Sequence, residues 1–169
     1  VKLNLGCGHD YRYDRAWVNY DMTFPANVIG DCTQGLPFRN ASFDEVWASH
    51  ILEHIPDLRA LQTELARVTR LGGILKAIVP NYDSVDAWGD PTHCRAFSSE
   101  SFQNAYWQGF NLIDIDVRSL RKKGASMGVN WIFVTLMRNE VSYSVVRANQ
   151  SGRRTIKTGG YKGPFGFKA

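Results

Sequence analysis

The chain has 169 residues, a length that suits one domain of about 100–200 residues with a sizeable core and argues against two. Hydrophobic residues make up 44% and charged residues 21% of it, close to the globular average, which excludes a disordered or fibrous chain. The net charge of +4 hides an asymmetry: from Arg118 onward eleven Lys and Arg face one acid, Glu140, whereas before it nine bases face fifteen acids.

Five short apolar segments occupy the first 80 residues: KLNLGCG, AWVNYD, VIGD, SFDEVWASH and GGILKAIVP. Runs of four to eight apolar residues bounded by turn signals predict strands buried on both faces, as in a parallel sheet. Between the fourth and fifth, Leu58, Leu61, Leu65 and Val68 recur at helical spacing, with Pro56 near the start and Gly72–Gly73 as the stop. After Pro80, NYDSVDAWGDPTHCRAF is too long for an ordinary connection and is a candidate for function. SSESFQNAYWQGF predicts a helix capped by Ser98 or Ser99, with Phe102, Ala105 and Tyr106 on one face. NLIDIDVRSLRK and VNWIFVTLMRN, joined by the glycine-bearing KKGASMG, predict an antiparallel pair. The domain is therefore expected over 1–140, followed by a basic, loosely ordered tail over 141–169.

No apolar run approaches the roughly 18 residues of a membrane span. No leader-like segment precedes Val1, and the opening without Met reads as a trimmed residue or short segment. The expectation is a soluble, cytoplasmic protein with no membrane partner. The odd count of cysteines, Cys7, Cys32 and Cys94, fits reduced thiols. The basic C-terminal third invites an anionic partner such as nucleic acid, although the same residues would also simply solvate a sheet edge and tail.

Gly6 and Gly8 allow a ligand close to the backbone, and a helix turn after them would aim free N–H groups at an anion. The third glycine of the dinucleotide fingerprint is missing, however, since Tyr11 stands there, and the strand-end acid Asp21 comes only thirteen residues after Gly8. An NAD-dependent oxidoreductase is therefore disfavoured. Asp21 and Asp31 close the second and third strand segments, at the sheet edge where open α/β folds hold ligands. One can accept both ribose hydroxyls and the other an adenine amine, though each is also a common turn cap.

The ordered blocks LNLGCG (3–8), WVNYD (17–21), DCTQGLPFRNASFDEVWASHILEH (31–54), GGILKAIVP (72–80) and DPTHCRAFSSESF (90–102) resemble a minimal branch of the class I S-adenosylmethionine-dependent methyltransferases. The resemblance spans roughly residues 1–138. It implies an α/β Rossmann-like three-layer sandwich: a mostly parallel seven-stranded sheet, a closing antiparallel hairpin and a shortened first helix. It implies S-adenosyl-L-methionine as cofactor, its methionine part against Gly6, Cys7 and Gly8, its ribose on Asp21 and its adenine facing Asp31 and Cys32. Ser49 and His50 would border the sulfonium and the methyl acceptor. Many class I enzymes carry an acid where this chain has Asn4, whose amide carbonyl would serve the ligand's ammonium instead.

A sulfonium methyl is already activated, so the protein mainly aligns the partners and excludes water. For a hydroxyl acceptor a base helps, and His93 with Asp90 are the first candidates, His50 the next. Asp90 and His93 equally suit a structural turn, His54 suits a loop anchor, and Arg95 suits either a substrate acid or a neighbouring carboxylate. Tyr82, Trp88 and Phe97 suit an acceptor wall or a packed lid. A metal role is set aside: His50 and His54 lack the zinc-protease glutamate placement, and Asp90, His93 and Cys94 lack a recognisable fourth ligand. The leading expectation is methyl transfer to a small-molecule or glycan acceptor, on oxygen. The alternatives are a nucleic-acid methyltransferase gripping phosphates with its basic end, and a non-catalytic cofactor-binding module.

Overall fold

A computed structural model describes residues 1–103, 106–120 and 128–139. The tail over 141–169 and most of the KKGASMG connection lie outside the described residues. Strands β1 (Lys2–Leu5), β2 (Trp17–Asp21), β3 (Val28–Ile29), β4 (Phe43–Ser49), β5 (Thr69–Pro80), β6 (Phe110–Leu120) and β7 (Val129–Arg138) form one sheet in the order β3-β2-β1-β4-β5-β7-β6. The first five run parallel, while β7 pairs antiparallel with both β5 and β6. All five apolar segments became strands. A short strand rich in β-branched and apolar residues has little alternative once both of its neighbours are paired.

Sheet order reverses direction between β1 and β4, and the ends of β1, β2 and β4 meet there. In open α/β sheets that is where ligands bind. One face of the sheet carries Leu3, Leu5, Val46, Ala48, Leu75, Ala77, Val134 and Leu136, all buried. Helix α1 (Leu58–Val68) buries Leu61, Leu65 and Val68, and Asp57 caps it by accepting from the Ala60 N–H at 3.0 Å. The helix stops earlier than the glycines suggested: Thr69 already belongs to β5. Gly73 sits instead at the irregular start of that strand, where an added Cβ would come within 2.8 Å of the Arg70 carbonyl oxygen.

Two other expectations are corrected. Among the described residues the segment after Ser98 forms only a 3-10 turn, Ser99–Phe102, and Tyr106 is exposed, while Ala105 lies outside the described residues. The capping box at Ser98 and Ser101 is present, but the aromatics dictate the rest: Phe97, Phe102 and Trp107 stack in series, with centroids 5.4 and 5.6 Å apart, burying area that a regular helix would have divided between two faces. The long stretch after Pro80 also holds a short helix, α2 (Val85–Gly89), capped by Ser84.

The loop before β4 is tied to α1 by one ion pair. Glu64 accepts from Arg67 through both carboxylate oxygens at 2.7 Å and from the Leu36 N–H at 2.8 Å, while Arg67 also donates to the carbonyls of Leu36 and Phe38. Replacing Glu64 by Ala is expected to cost about 2 kcal/mol in urea unfolding, because it removes three part-buried hydrogen bonds, two of them charge-assisted. The hydrogen bonds from Arg67, outweighing the cost of burial, hold the Glu64 carboxyl below its ordinary value of 4.5. Its contribution is therefore complete above that value and is lost as pH falls through the depressed one. Acidification across this window should narrow the stability gap between parent and Glu64→Ala.

Candidate functional site

Among the described residues no helix follows β1. The chain passes through Gly6 (φ 64°) and Gly8 (φ 43°) into an irregular loop. An added Cβ on Gly6 would lie 2.8 Å from the Ile51 side chain, so glycine is required by both backbone conformation and space. That contact also sets the glycine loop beside the end of β4. The expected free N–H groups are not there: Gly6 and Cys7 donate to the Tyr20 carbonyl at 2.9 and 3.1 Å, and Gly8 donates to Asp21 Oδ2 at 2.9 Å. With its donors spent inward, the loop is a poor cradle for a pyrophosphate and a better neighbour for a cation such as an ammonium.

The loop that stands in place of the helix is pinned by amides. Asn4 is buried, and its Nδ2 donates to the Asp10 carbonyl at 2.6 Å and to Asn19 Oδ1 at 3.0 Å. Asn19 in turn binds both the backbone N–H and carbonyl of Arg12. The Arg12 guanidinium lies over the rings of Trp17 and Trp47, 5.0 and 4.9 Å from their centroids. Asn4 is thus an anchor of the loop and not part of its outer surface.

Asp21 ends β2 half-buried, its Oδ1 accepting from the Thr23 N–H and hydroxyl at 3.0 Å. Asp31 lies two residues past β3 and accepts from the N–H and hydroxyl of Thr33 at 2.8 and 2.7 Å, which hold its carboxyl below the usual range. Both carboxylates are hydrogen-bond acceptors with lone pairs to spare. Cys32 beside Asp31 is buried, and burial with that neighbouring charge pushes its thiol up to about 11; it packs as a neutral group. Burial likewise raises the Cys7 thiol, with Asp21 adding to the effect.

Beyond β4 an open cavity of about 730 Å³ is lined by His50, Glu53, His54, Asp86, Asp90, His93 and Trp131, among others. His50 directly follows Ser49 with φ 53°, a conformation that costs a non-glycine residue about 1–3 kcal/mol and concentrates at functional sites. Its ring meets Trp131 edge-on at 5.6 Å, and its Nδ1 lies 3.4 Å from Glu53 Oε1. Glu53, which sequence reasoning missed, is 1% exposed, and neither carboxylate oxygen has a hydrogen-bond partner.

The stretch 81–97 is fixed by backbone bonds, one within itself and two to its neighbours, and walls this cavity. Tyr82 donates to the Phe97 carbonyl at 2.7 Å, Asn81 to that of Asn130 at 2.9 Å, and Cys94 to that of Glu53 at 2.8 Å. Asp90 Oδ1 accepts from the Thr92 N–H at 2.8 Å and hydroxyl at 2.6 Å, which keep its carboxyl ionised below the usual range. His93 Nδ1 faces the Ala87 carbonyl at 3.2 Å, and its Nε2 is 3.9 Å from Asp90 Oδ2. Among the described residues Arg95 pairs with no carboxylate: it donates to the carbonyls of Ile55 and Pro56 at 2.5 and 2.6 Å. Phe97 is core, while Tyr82 and Trp88 are exposed.

Residues 8–77 match the family model described as a methyltransferase domain. A SAM-dependent methyltransferase from Archaeoglobus fulgidus superposes with a TM-score of 0.60 at 16% identity, covering 81% of this chain and 85% of that one. The fold is that of the S-adenosyl-L-methionine-dependent methyltransferases. The YcgJ protein of Bacillus subtilis shares it, with a TM-score of 0.62 at 17% identity over 82% of this chain and 92% of that one. So does the [4+2]-cyclase SpnF, with 0.63 at 17% identity over 82% and 74%, a reminder that this fold hosts other chemistry. A curated relative, demethylmenaquinone methyltransferase from Corynebacterium glutamicum, is 50% identical over 50 residues, or 30% of this chain. The match spans about a fifth of that relative's length (21%). No helix of the described residues is long and apolar enough to cross a membrane.

Proposed function

We propose that this chain transfers a methyl group from S-adenosyl-L-methionine to a hydroxyl of a small-molecule or glycan acceptor seated in the cavity beyond β4. The observation that carries the cofactor part is the pairing of a glycine loop, its N–H groups turned inward, with two carboxylates, Asp21 and Asp31, near neighbouring strand ends. Such a set suits an adenosyl group bearing an ammonium and rejects a pyrophosphate. Bound there, the cofactor supplies an activated methyl on sulfur. Asp21 holds the ribose hydroxyls, Asp31 accepts the adenine amine, and Ser49 with the glycine loop backs the amino-acid end.

The chain's own contribution is placement and a proton acceptor. His50 emerges from the tip of β4 next to the glycine loop, with Glu53 Oε1 3.4 Å from its Nδ1 to favour the imidazolium that forms when the ring takes the acceptor's proton. In this reading His93 and Asp90, expected first from the sequence, shape the acceptor side: one ring nitrogen and one carboxylate oxygen of the pair are committed to loop hydrogen bonds. Calorimetry with S-adenosylhomocysteine tests the cofactor part, and one site per chain is expected. Methyl uptake from labelled cofactor into phenols, sugars, nucleotides and RNA tests the acceptor. RNA as the only acceptor, with uptake falling steeply in salt, would replace this reading by the nucleic-acid one.

A further inference from the structure

Three of the chain's four histidines, His50, His54 and His93, gather on one cavity around a buried acid. Ligand atoms of Glu53, His54 and His93 lie within 4.8 Å of one another. We infer that these three side chains form a divalent-metal site of the zinc class, with open coordination positions toward the cavity.

Two independent features favour it. The first is the tautomer each ring must hold. The Ala87 carbonyl beside His93 Nδ1 can only accept, so that nitrogen carries the hydrogen. Thr92 gives its single hydroxyl hydrogen to Asp90 Oδ1, so toward His54 Nδ1, 2.9 Å away, it too can only accept. In its neutral form each imidazole therefore carries its lone pair on Nε2, and both are oriented by an oxygen behind them. That is how metal-ligating histidines are set. Their rings stand edge to face with centroids 4.6 Å apart.

The second feature is Glu53. Glu53 is 1% exposed and lacks any hydrogen bond, and a carboxylate in such a place is costly to keep charged unless a cation offsets it. His50 Nδ1 lies 3.4 Å from Oε1, and Oε2, likewise without a hydrogen bond, is the oxygen offered to a metal. Two imidazoles and a carboxylate are the donor set of open zinc sites, whose bonds of about 2.1 Å put ligand atoms roughly 3.4 Å apart. Closing the trio therefore takes about 1 Å of side-chain movement, which side-chain torsions can supply.

Chelator-treated protein titrated with zinc ions by calorimetry tests this without reference to methyl transfer, so its outcome is separate from the functional reading above. One zinc per chain is expected, with a dissociation constant on the order of 1 µM or below. Glu53→Gln and His93→Ala should each weaken binding by about a hundredfold or more, and Thr92→Ala, which removes the support behind His54, by about tenfold. Thermal melts of the same variants verify folding; Glu53→Gln removes a buried charge and should melt no lower than the parent. Cys94→Ser should bind as the parent does. Zinc binding far below one per chain, parent-like affinity in folded Glu53→Gln and His93→Ala, or loss of binding in Cys94→Ser would each overturn the site.

Discussion

Asp21→Ala is expected to lower affinity for S-adenosylhomocysteine by roughly a hundredfold in calorimetry. Two hydrogen bonds from ribose hydroxyls to a carboxylate are worth about 3 kcal/mol together, and 1.4 kcal/mol is tenfold in affinity. The side chain also receives the Gly8 N–H at 2.9 Å, so its loss loosens the loop the ligand rests on and adds to the effect. Because β2 is held by backbone pairing on both sides, the melting temperature should stay within about 4 °C of the parent. Asp21→Asn keeps one acceptor oxygen and should fall between the two, near tenfold. Unchanged affinity in Asp21→Ala would remove the ribose assignment.

His50→Ala should cut turnover by about 10² to 10⁴ with a hydroxyl acceptor while leaving cofactor affinity within about twofold. The deficit should shrink as pH rises, since a more fully ionised acceptor needs the base less. A merely structural His50 would not produce that pH dependence. Its backbone gives a second contrast: with φ at 53°, His50→Gly should restore or raise stability while staying inactive. Normal turnover in His50→Ala would pass the role of base to His93.

The strand framework was open to reading because parallel strands buried on both faces leave an unambiguous trace of apolar runs ending in Gly or Asp, as in KLNLGCG and WVNYD. The thirteen-residue step between Gly8 and Asp21 left open whether a helix was missing, and the shortened first helix came from the resemblance alone. The helix expected after Ser98 failed because its signals are local, whereas Phe97, Phe102 and Trp107 settle the chain by stacking across it. Glu53 was invisible for a different reason: nothing in LEH distinguishes a solvated acid from one with 1% exposure, and its approach to His93 depends on a loop returning from 40 residues away, through the Cys94 N–H on the Glu53 carbonyl. The bonds that Asn4 makes through its Nδ2 were not legible because its partners, Asp10 and Asn19, are set by the irregular loop and not by any period.

The seat of Arg12 between Trp17 and Trp47 has an optical consequence. Indole emission depends strongly on a cation resting on its face, and this particular cation rides on the segment that leads away from the cofactor loop. The two indoles therefore act as built-in lamps for that segment: their brightness and colour follow whether it lies flat on the sheet or lifts away, with no label attached.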